Sequence, residues 1–170
     1  MKKRGLKNSL IIKTLIFIVL VPGSVTVIIP YLILKDSLPT ILQFSLPYYF
    51  GLLPALSGLI ICFWCFADFI NKGTGTPSPF DSPKQLVVEG LYRYVRNPMY
   101  IGISLVIFGE VIMFSSLLLI LYSIILLLIF HINIVYYEEP KLRLEFGGKY
   151  DNYRVSVPRW FLKVTHKQLP

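Results

Sequence analysis

The sequence has few of the residues from which metal and redox sites are built. It contains two cysteines, Cys62 and Cys65, and two histidines, His131 and His166. The cysteines form a Cys-x-x-Cys pair inside an apolar run, but neither a second pair nor a nearby histidine completes a ligand set. We therefore predict that both cysteines pack in the interior, and we expect no metal site.

Other absences narrow the class further. No Gly-x-Gly-x-x-Gly is present, and the two histidines are too far apart for an obvious bis-histidine haem, so a membrane reductase is disfavoured. Acidic residues number only 9 against 17 lysines and arginines, which gives a net charge of +8. Nearly all of the basic residues flank apolar runs, a pattern typical of anchoring beside anionic lipid headgroups. We expect membrane lipids as partners and no nucleic acid.

Long apolar runs are abundant, and hydrophobic residues make up 55% of the chain. The runs are continuous instead of alternating, which disfavours a β-barrel and predicts helices whose backbone groups are satisfied internally. We predict an all-α fold, a single integral membrane helical bundle of about four transmembrane helices plus a C-terminal interfacial amphipathic helix. The predicted spans are residues 14–34, 46–70, 98–114 and 117–137.

This pattern divides the single membrane domain, residues 1–170, into four parts. They are two N-terminal spans (1–70), a cytoplasmic loop (71–97), a helical hairpin (98–137) and a cytoplasmic amphipathic tail (138–170). The basic residues number five before the first span, four between the second and third spans and seven in the tail. An even number of spans places these three segments on one side, so both termini and the hairpin ends are predicted to be cytoplasmic. The Gly/Pro-rich stretch 73–83 is either a linker or a lid.

The predicted hairpin brings distant polar residues together. Asn97-Pro98 is a good helix start, with asparagine as N-cap and proline at the first helical position. A hairpin returns to the membrane face from which it began, so Arg96 is expected near Glu138 and Glu139, although 42 positions separate Arg96 from Glu138. This junction is the predicted site.

The residue types at the junction suggest a zwitterionic ligand with an additional positive centre. Arg96 and the helix start favour a carboxylate or phosphate, while Glu138 and Glu139 favour a cation. His131 precedes Glu138 by two helical turns and either lines the cavity or is a packed core histidine. The tyrosines that offer aromatic faces are Tyr92, Tyr94, Tyr100, Tyr136 and Tyr137. S-adenosylmethionine is such a ligand, although these residue types alone do not single it out. The alternative is a non-enzymatic membrane protein whose arginines bind anionic lipid or a partner.

Several motifs in order carry a family resemblance. They are Gly-Leu-Tyr-Arg-Tyr-Val-Arg-Asn-Pro-Met-Tyr (residues 90–100), Gly109-Glu110, His131, Tyr137-Glu138-Glu139-Pro140-Lys141-Leu142, Phe146-Gly147, Tyr150, Tyr153 and Val157-Pro158-Arg159-Trp160. Together they resemble the isoprenylcysteine carboxyl methyltransferase and phospholipid methyltransferase superfamily, in its bacterial form. The resemblance covers about residues 73–161. Asn97 stands where the prenylcysteine enzymes have histidine, which leaves the methyl acceptor open.

The resemblance implies an integral membrane methyltransferase that uses S-adenosylmethionine. It implies methyl transfer to a lipid-like acceptor entering from the bilayer, as in isoprenylcysteine carboxyl O-methylation, with phospholipid N-methylation as the alternative. The implied catalytic residues are Arg96, Glu138 and Glu139. The implied cofactor-binding residues are Tyr92, Arg96, Asn97, Pro98, Tyr100, His131, Tyr136, Glu138 and Glu139.

Overall fold

A computed structural model describes residue 12 and residues 15–35, 46–72 and 86–161, with the side chains of residues 69–72 left out. All regular elements in these ranges are helical, which confirms the all-α fold. We label the main helices α1 (Leu15–Leu34), α2 (Leu46–Lys72), α3 (Pro98–Phe114), α4 (Leu117–Asn133), α5 (Glu139–Phe146) and α6 (Gly148–Ser156). The stretch 73–83, predicted as a linker or lid, lies outside the described residues.

Within the described ranges, three helical segments are long and apolar enough to cross a membrane: Leu15–Leu34, Leu46–Asp68 and Leu117–Phe146. The chain is therefore an integral membrane protein. The fourth apolar helix, α3, has 17 residues, which corresponds to about 26 Å at the usual rise per residue. That length is at the short end for a hydrocarbon core about 30 Å thick, so a count of four spans stays a prediction.

Helix α1 is distorted directly after a proline and a glycine. A π-helical turn, Ser24–Ile28, directly follows Pro22-Gly23. Proline has no N–H to donate to the preceding turn, and such defects are common causes of helix irregularity. The Tyr122 hydroxyl of α4 donates to the carbonyl of Val25 at 2.8 Å, so the irregular turn is also the place where α1 is bonded to α4.

Helices α2 and α3 form the most extensive helix pair among the described elements, and glycines line their contact. Gly51 faces Gly109, and Gly58 faces Gly102, and the two glycines of each helix are seven positions apart. A Cβ atom on Gly109 would lie 2.6 Å from the Gly51 carbonyl oxygen, and one on Gly102 would lie 2.9 Å from that of Gly58. Small residues of this kind let two backbones approach closely in a membrane, and Gly58 is one of them.

We predict that Gly58→Val destabilises the protein through this contact. The new Cβ atom would lie 2.8 Å from the backbone nitrogen of Val106, and forcing extra atoms into such a site typically costs about 1–3 kcal/mol. Thermal unfolding in detergent should show a lower midpoint for this variant. The matched control is Ser57→Val, because Ser57 is the exposed neighbour on the same helix. Equal midpoints for the two variants would contradict the proposed packing.

The last span does not stop at Tyr137, where the sequence predicts its end. A π-helical turn, Ile134–Glu138, joins α4 to α5, and the Glu139 amide bonds the Ile134 carbonyl five residues back. Pro140 then occupies the first turn of α5, where a missing N–H costs little. The Glu-Glu-Pro sequence therefore continues the helix, and the helix ends at Phe146, before Gly147 with its φ of 53°.

A small second core supports the polar end of the hairpin. Tyr150, Tyr153 and Val157 are buried together, and Leu142 and Phe146 of α5 pack against them. The Tyr153 hydroxyl donates to the Tyr92 carbonyl at 2.7 Å. The segment after α6 is thereby fixed against the loop that leads into α3, which brings residues 157–160 beside Arg96.

Candidate ligand-binding site at the open end of the hairpin

The start of α3 is held by the C-terminal part of the chain. Pro98 is the first residue of the helix, as predicted, and Asn97 occupies the capping position, but its side chain does not cap. Instead, Asn97 Nδ2 donates to the Arg159 carbonyl at 3.2 Å, and the Arg96 amide donates to the Pro158 carbonyl at 2.9 Å. The expected role of the Asn97 side chain as an N-cap was wrong because residues 158–159 offer it a carbonyl acceptor.

Glu139 lies between two guanidinium groups. Its Oε1 is 3.0 Å from Arg96 Nη1, and Arg159 contacts both oxygens, with Nε 2.7 Å from Oε1 and Nη2 2.9 Å from Oε2. Glu139 is only 9% exposed. A carboxylate removed from water to this degree requires such partners, and a forked pair of hydrogen bonds to arginine is among the strongest available.

The neighbouring Glu138 has a different set of partners. The Tyr100 hydroxyl donates to Glu138 Oε1, and Asn133 Nδ2 lies 2.8 Å from the same oxygen and 2.9 Å from the Tyr100 hydroxyl. The Tyr100 ring packs edge-on against Phe130, with 4.7 Å between ring centroids. In these contacts Glu138 meets only neutral donors, whereas Glu139 meets two cations.

The π-helical turn decides which residue lies below Glu138. A regular helix would place His131, seven residues earlier, on the face of Glu138. The wider turn shifts this phase, and Asn133, five residues earlier, makes the contact. His131 is exposed and lies nearly parallel to the Trp160 ring, with 6.3 Å between centroids. Its assignment as a cofactor-binding residue stays a prediction.

The other predicted site residues fall into two groups. Tyr92 lies beside the site, and burial raises its pKa well above the usual value, so its phenol stays neutral. Pro98 is buried at the start of α3. Tyr136, in contrast, is 76% exposed, so within the described part of the chain it does not close over the polar cluster.

The two guanidinium groups around Glu139 favour an anion beside them. Arg96 and Arg159 together with Glu139 carry a net charge of +1, and the hydrogen bonds to Glu139 raise the pKa of Arg159. Arg96 Nη1 also donates to the Tyr150 hydroxyl at 3.3 Å. Arg96 Nε is buried and has no hydrogen-bond partner among the described residues. Buried polar groups are nearly always paired, so this free N–H fits a carboxylate or phosphate of a ligand.

Three residues of the cluster were not among those predicted: Asn133, Tyr150 and Arg159. Asn133 could have been suspected as a polar residue near the end of an apolar run, since such residues are often functional. Arg159 belongs to a recognisable motif, but no spacing rule relates it to Glu139, which lies 20 positions earlier. Their contacts depend on the π-helical turn and on the return of the chain after α6.

The helices and the polar residues described above define a helical membrane protein with a buried polar cluster at one end of a hairpin. The sequence profile of the family described as phospholipid methyltransferase matches residues 46–149, which is more than half of the 170 residues. The chain therefore belongs to the phospholipid methyltransferase family, a family of membrane methyltransferases. No curated protein and no solved structure matches the chain.

We predict that Glu139→Gln strongly destabilises the folded protein. The substitution leaves two adjacent guanidinium groups without their shared counter-charge, and removing one partner of a buried ion pair typically costs about 3–5 kcal/mol. Thermal unfolding in detergent measures the effect. The control is Glu145→Gln, an exposed glutamate on the same helix. Comparable midpoints for the two variants would mean that the Arg96–Glu139–Arg159 contacts contribute little.

Proposed function

We propose that the chain transfers a methyl group from S-adenosylmethionine to a lipid-like acceptor, in the manner of the isoprenylcysteine carboxyl O-methyltransferases. Two observations support this. Family membership gives the reaction class, and the buried, unpaired Arg96 Nε gives a place for the carboxylate of an amino-acid ligand. Close to it, Glu138 presents a carboxyl group with neutral partners. An amino acid needs such opposite partners side by side.

The proposed roles follow from these partners. Arg96 and the amide end of α3 bind the ligand's carboxylate, with Asn97 and Pro98 shaping that helix start. Glu138 provides negative charge for the ammonium group, the ribose or the sulfonium. Glu139, which is paired with Arg96 and Arg159, holds the guanidinium that binds the carboxylate. Tyr92 and Tyr100 are proposed to line the ligand site, and His131 and Tyr136 are proposed to lie at its rim.

The main contribution of the protein to this reaction is to position the methyl donor and the acceptor. When bound, S-adenosylmethionine supplies an electrophilic methyl group on a sulfonium. The acceptor atom must lie in line with the bond that breaks, and the protein contributes alignment and the exclusion of water. A carboxylate acceptor is already ionised and requires no base, whereas an ammonium acceptor must first lose a proton. An acceptor with a long apolar tail is expected to enter from the bilayer, because moving such a tail through water is unfavourable.

Phospholipid N-methylation is the second candidate, because the description of the matching family names phospholipids. The two candidates give chemically different products. We expect purified protein, incubated with methyl-labelled S-adenosylmethionine and membranes, to place label in the lipid fraction as a methyl ester. Mild alkali should release that label as methanol. Label that resists alkali and migrates with methylated phosphatidylethanolamine would instead establish N-methylation.

Cofactor binding gives the most direct test. Calorimetry on detergent-purified protein should show S-adenosylmethionine binding, which Arg96→Ala and Glu138→Gln each weaken by about tenfold or more, the scale of one charge-assisted hydrogen bond. Arg93→Ala is the matched control, an exposed arginine in the same loop. If folded wild-type protein with added lipid does not bind the cofactor, the methyltransferase proposal fails and a non-enzymatic, lipid-binding membrane protein becomes the better account.

We further propose that the termini and the site face the cytoplasm, on the basis of the basic residues that flank the spans. Two single substitutions test this, Ser115→Cys in the turn between α3 and α4 and Glu145→Cys in α5. An impermeant maleimide should label the first variant in intact cells and the second only after permeabilisation. The native Cys62 and Cys65 are buried and should contribute little background. The reverse labelling pattern would invert the proposed topology.

A further inference from the structure

The two arginines that contact Glu139 do so in different ways. Arg159 uses Nε and Nη2 as a fork and reaches both carboxylate oxygens, at 2.7 and 2.9 Å. Arg96 reaches the same carboxylate only through Nη1, at 3.0 Å from Oε1. Arg159 therefore holds the paired position on Glu139, and Arg96 has a single contact.

Because Arg159 contacts both oxygens of Glu139 and Arg96 only one, the Nε of Arg96 is left available for a ligand. An arginine beside a carboxylate normally tends towards the forked arrangement, because two parallel hydrogen bonds are stronger than one. Here Arg159 occupies that arrangement, and Arg96 Nη1 is shared between Glu139 and the Tyr150 hydroxyl. Arg96 Nε remains buried and without a hydrogen-bond partner among the described residues.

Arg159 is itself carried by a fixed stretch of backbone. Its carbonyl accepts from Asn97 Nδ2, and the preceding Pro158 carbonyl accepts from the Arg96 amide. Val157 is buried, and Trp160 packs against His131 and against the apolar cluster that contains Ile103 and Phe130. The segment 157–160 thus places Arg159 directly beside the helix start that carries Arg96, and its position does not depend on Glu139 alone.

We infer that Arg159 is a positioning residue of the ligand site. By occupying both oxygens of Glu139, it keeps Arg96 open to the carboxylate of S-adenosylmethionine, while Arg159 itself does not contact the ligand. When Arg159 is removed, Arg96 turns onto Glu139 in the forked arrangement, and its Nε becomes paired within the protein. Affinity for the ligand's carboxylate then falls. This inference rests on the proposed function.

The test compares two ligands that differ only in the group that Arg96 would bind: S-adenosylmethionine and its decarboxylated analogue. Calorimetry is performed on wild type, Arg159→Ala, Arg159→Lys and Arg154→Ala in detergent. Arg154, an exposed arginine 3.9 Å from Asp151, is the matched control. We expect Arg159→Ala to weaken S-adenosylmethionine binding about tenfold or more, the scale of one charge-assisted hydrogen bond, and to change decarboxylated-analogue binding less than about twofold. Arg159→Lys should be intermediate, because lysine keeps the charge without the fork.

A purely structural role predicts a different result, namely equal weakening for both ligands, and that result would overturn the inference. Unchanged affinity of Arg159→Ala for both ligands would overturn it as well. In the background of Arg96→Ala, adding Arg159→Ala should cause no further loss of S-adenosylmethionine affinity, because Arg159 acts through Arg96. If Arg159→Ala does not fold, Arg159→Lys provides the same comparison of ligands. Wild-type protein that binds neither ligand would contradict the proposed function, and this inference with it.

Discussion

The buried carboxylate of Glu139 is the group on which the arrangement of this site depends. It lies on the continuous helix of the last span, and its two arginine partners come from the loop before α3 and from the segment after α6. One ion-pair cluster thus connects three stretches of chain that are distant in sequence. A buried ion pair contributes little net stability compared with apolar packing, but its geometry is strict because each partner is costly to leave unpaired. Specific positioning, more than stability, is what such a cluster provides.

The π-helical turn Ile134–Glu138 is the local feature that makes the cluster possible. Its wide turn changes the phase of the helix between the apolar span and the Glu-Glu pair, so that Glu138 meets Asn133 and Tyr100 while Glu139 meets the arginines. A regular helix through the same residues would place His131 below Glu138. Single π-helical turns often occur at functional sites, and here the turn determines which polar side chains meet.

Much of the fold could be predicted from the sequence, because apolar runs, glycines and prolines act locally. The bounds of α3 and the turn at Ser115-Ser116 follow from Asn97-Pro98 and the two serines, and Gly58 marks a close helix contact. The meeting of Arg96 with Glu139 follows from hairpin length alone. The continuation of the last helix beyond Tyr137 could not be predicted by the same rules. A proline after two glutamates indicates the end of a helix, and the π-helical turn that precedes it here has no recognised sequence pattern.

The partners inside the site were less predictable, and for a physical reason. Asn97 was expected to cap α3 because its local sequence favours a cap. Its side chain instead donates a hydrogen bond to the Arg159 carbonyl in the C-terminal segment. Arg159 and Tyr150 reach the cluster only because the small core around Tyr153 and Val157 folds the chain back. Contacts of this kind depend on tertiary structure, and neither propensity nor spacing encodes them.

The different environments of the two adjacent glutamates give the site its polarity. Glu139 is compensated by two guanidinium groups, and the surplus positive charge lies at the start of α3, where the helix amides also favour an anion. Glu138 accepts hydrogen bonds from a phenol and an amide, which orient its carboxyl group. A ligand with a carboxylate and a nearby cationic group would find a partner for each in a single orientation. Reversing such a ligand would place like charges together at both ends, so we propose that the cluster favours one direction of binding.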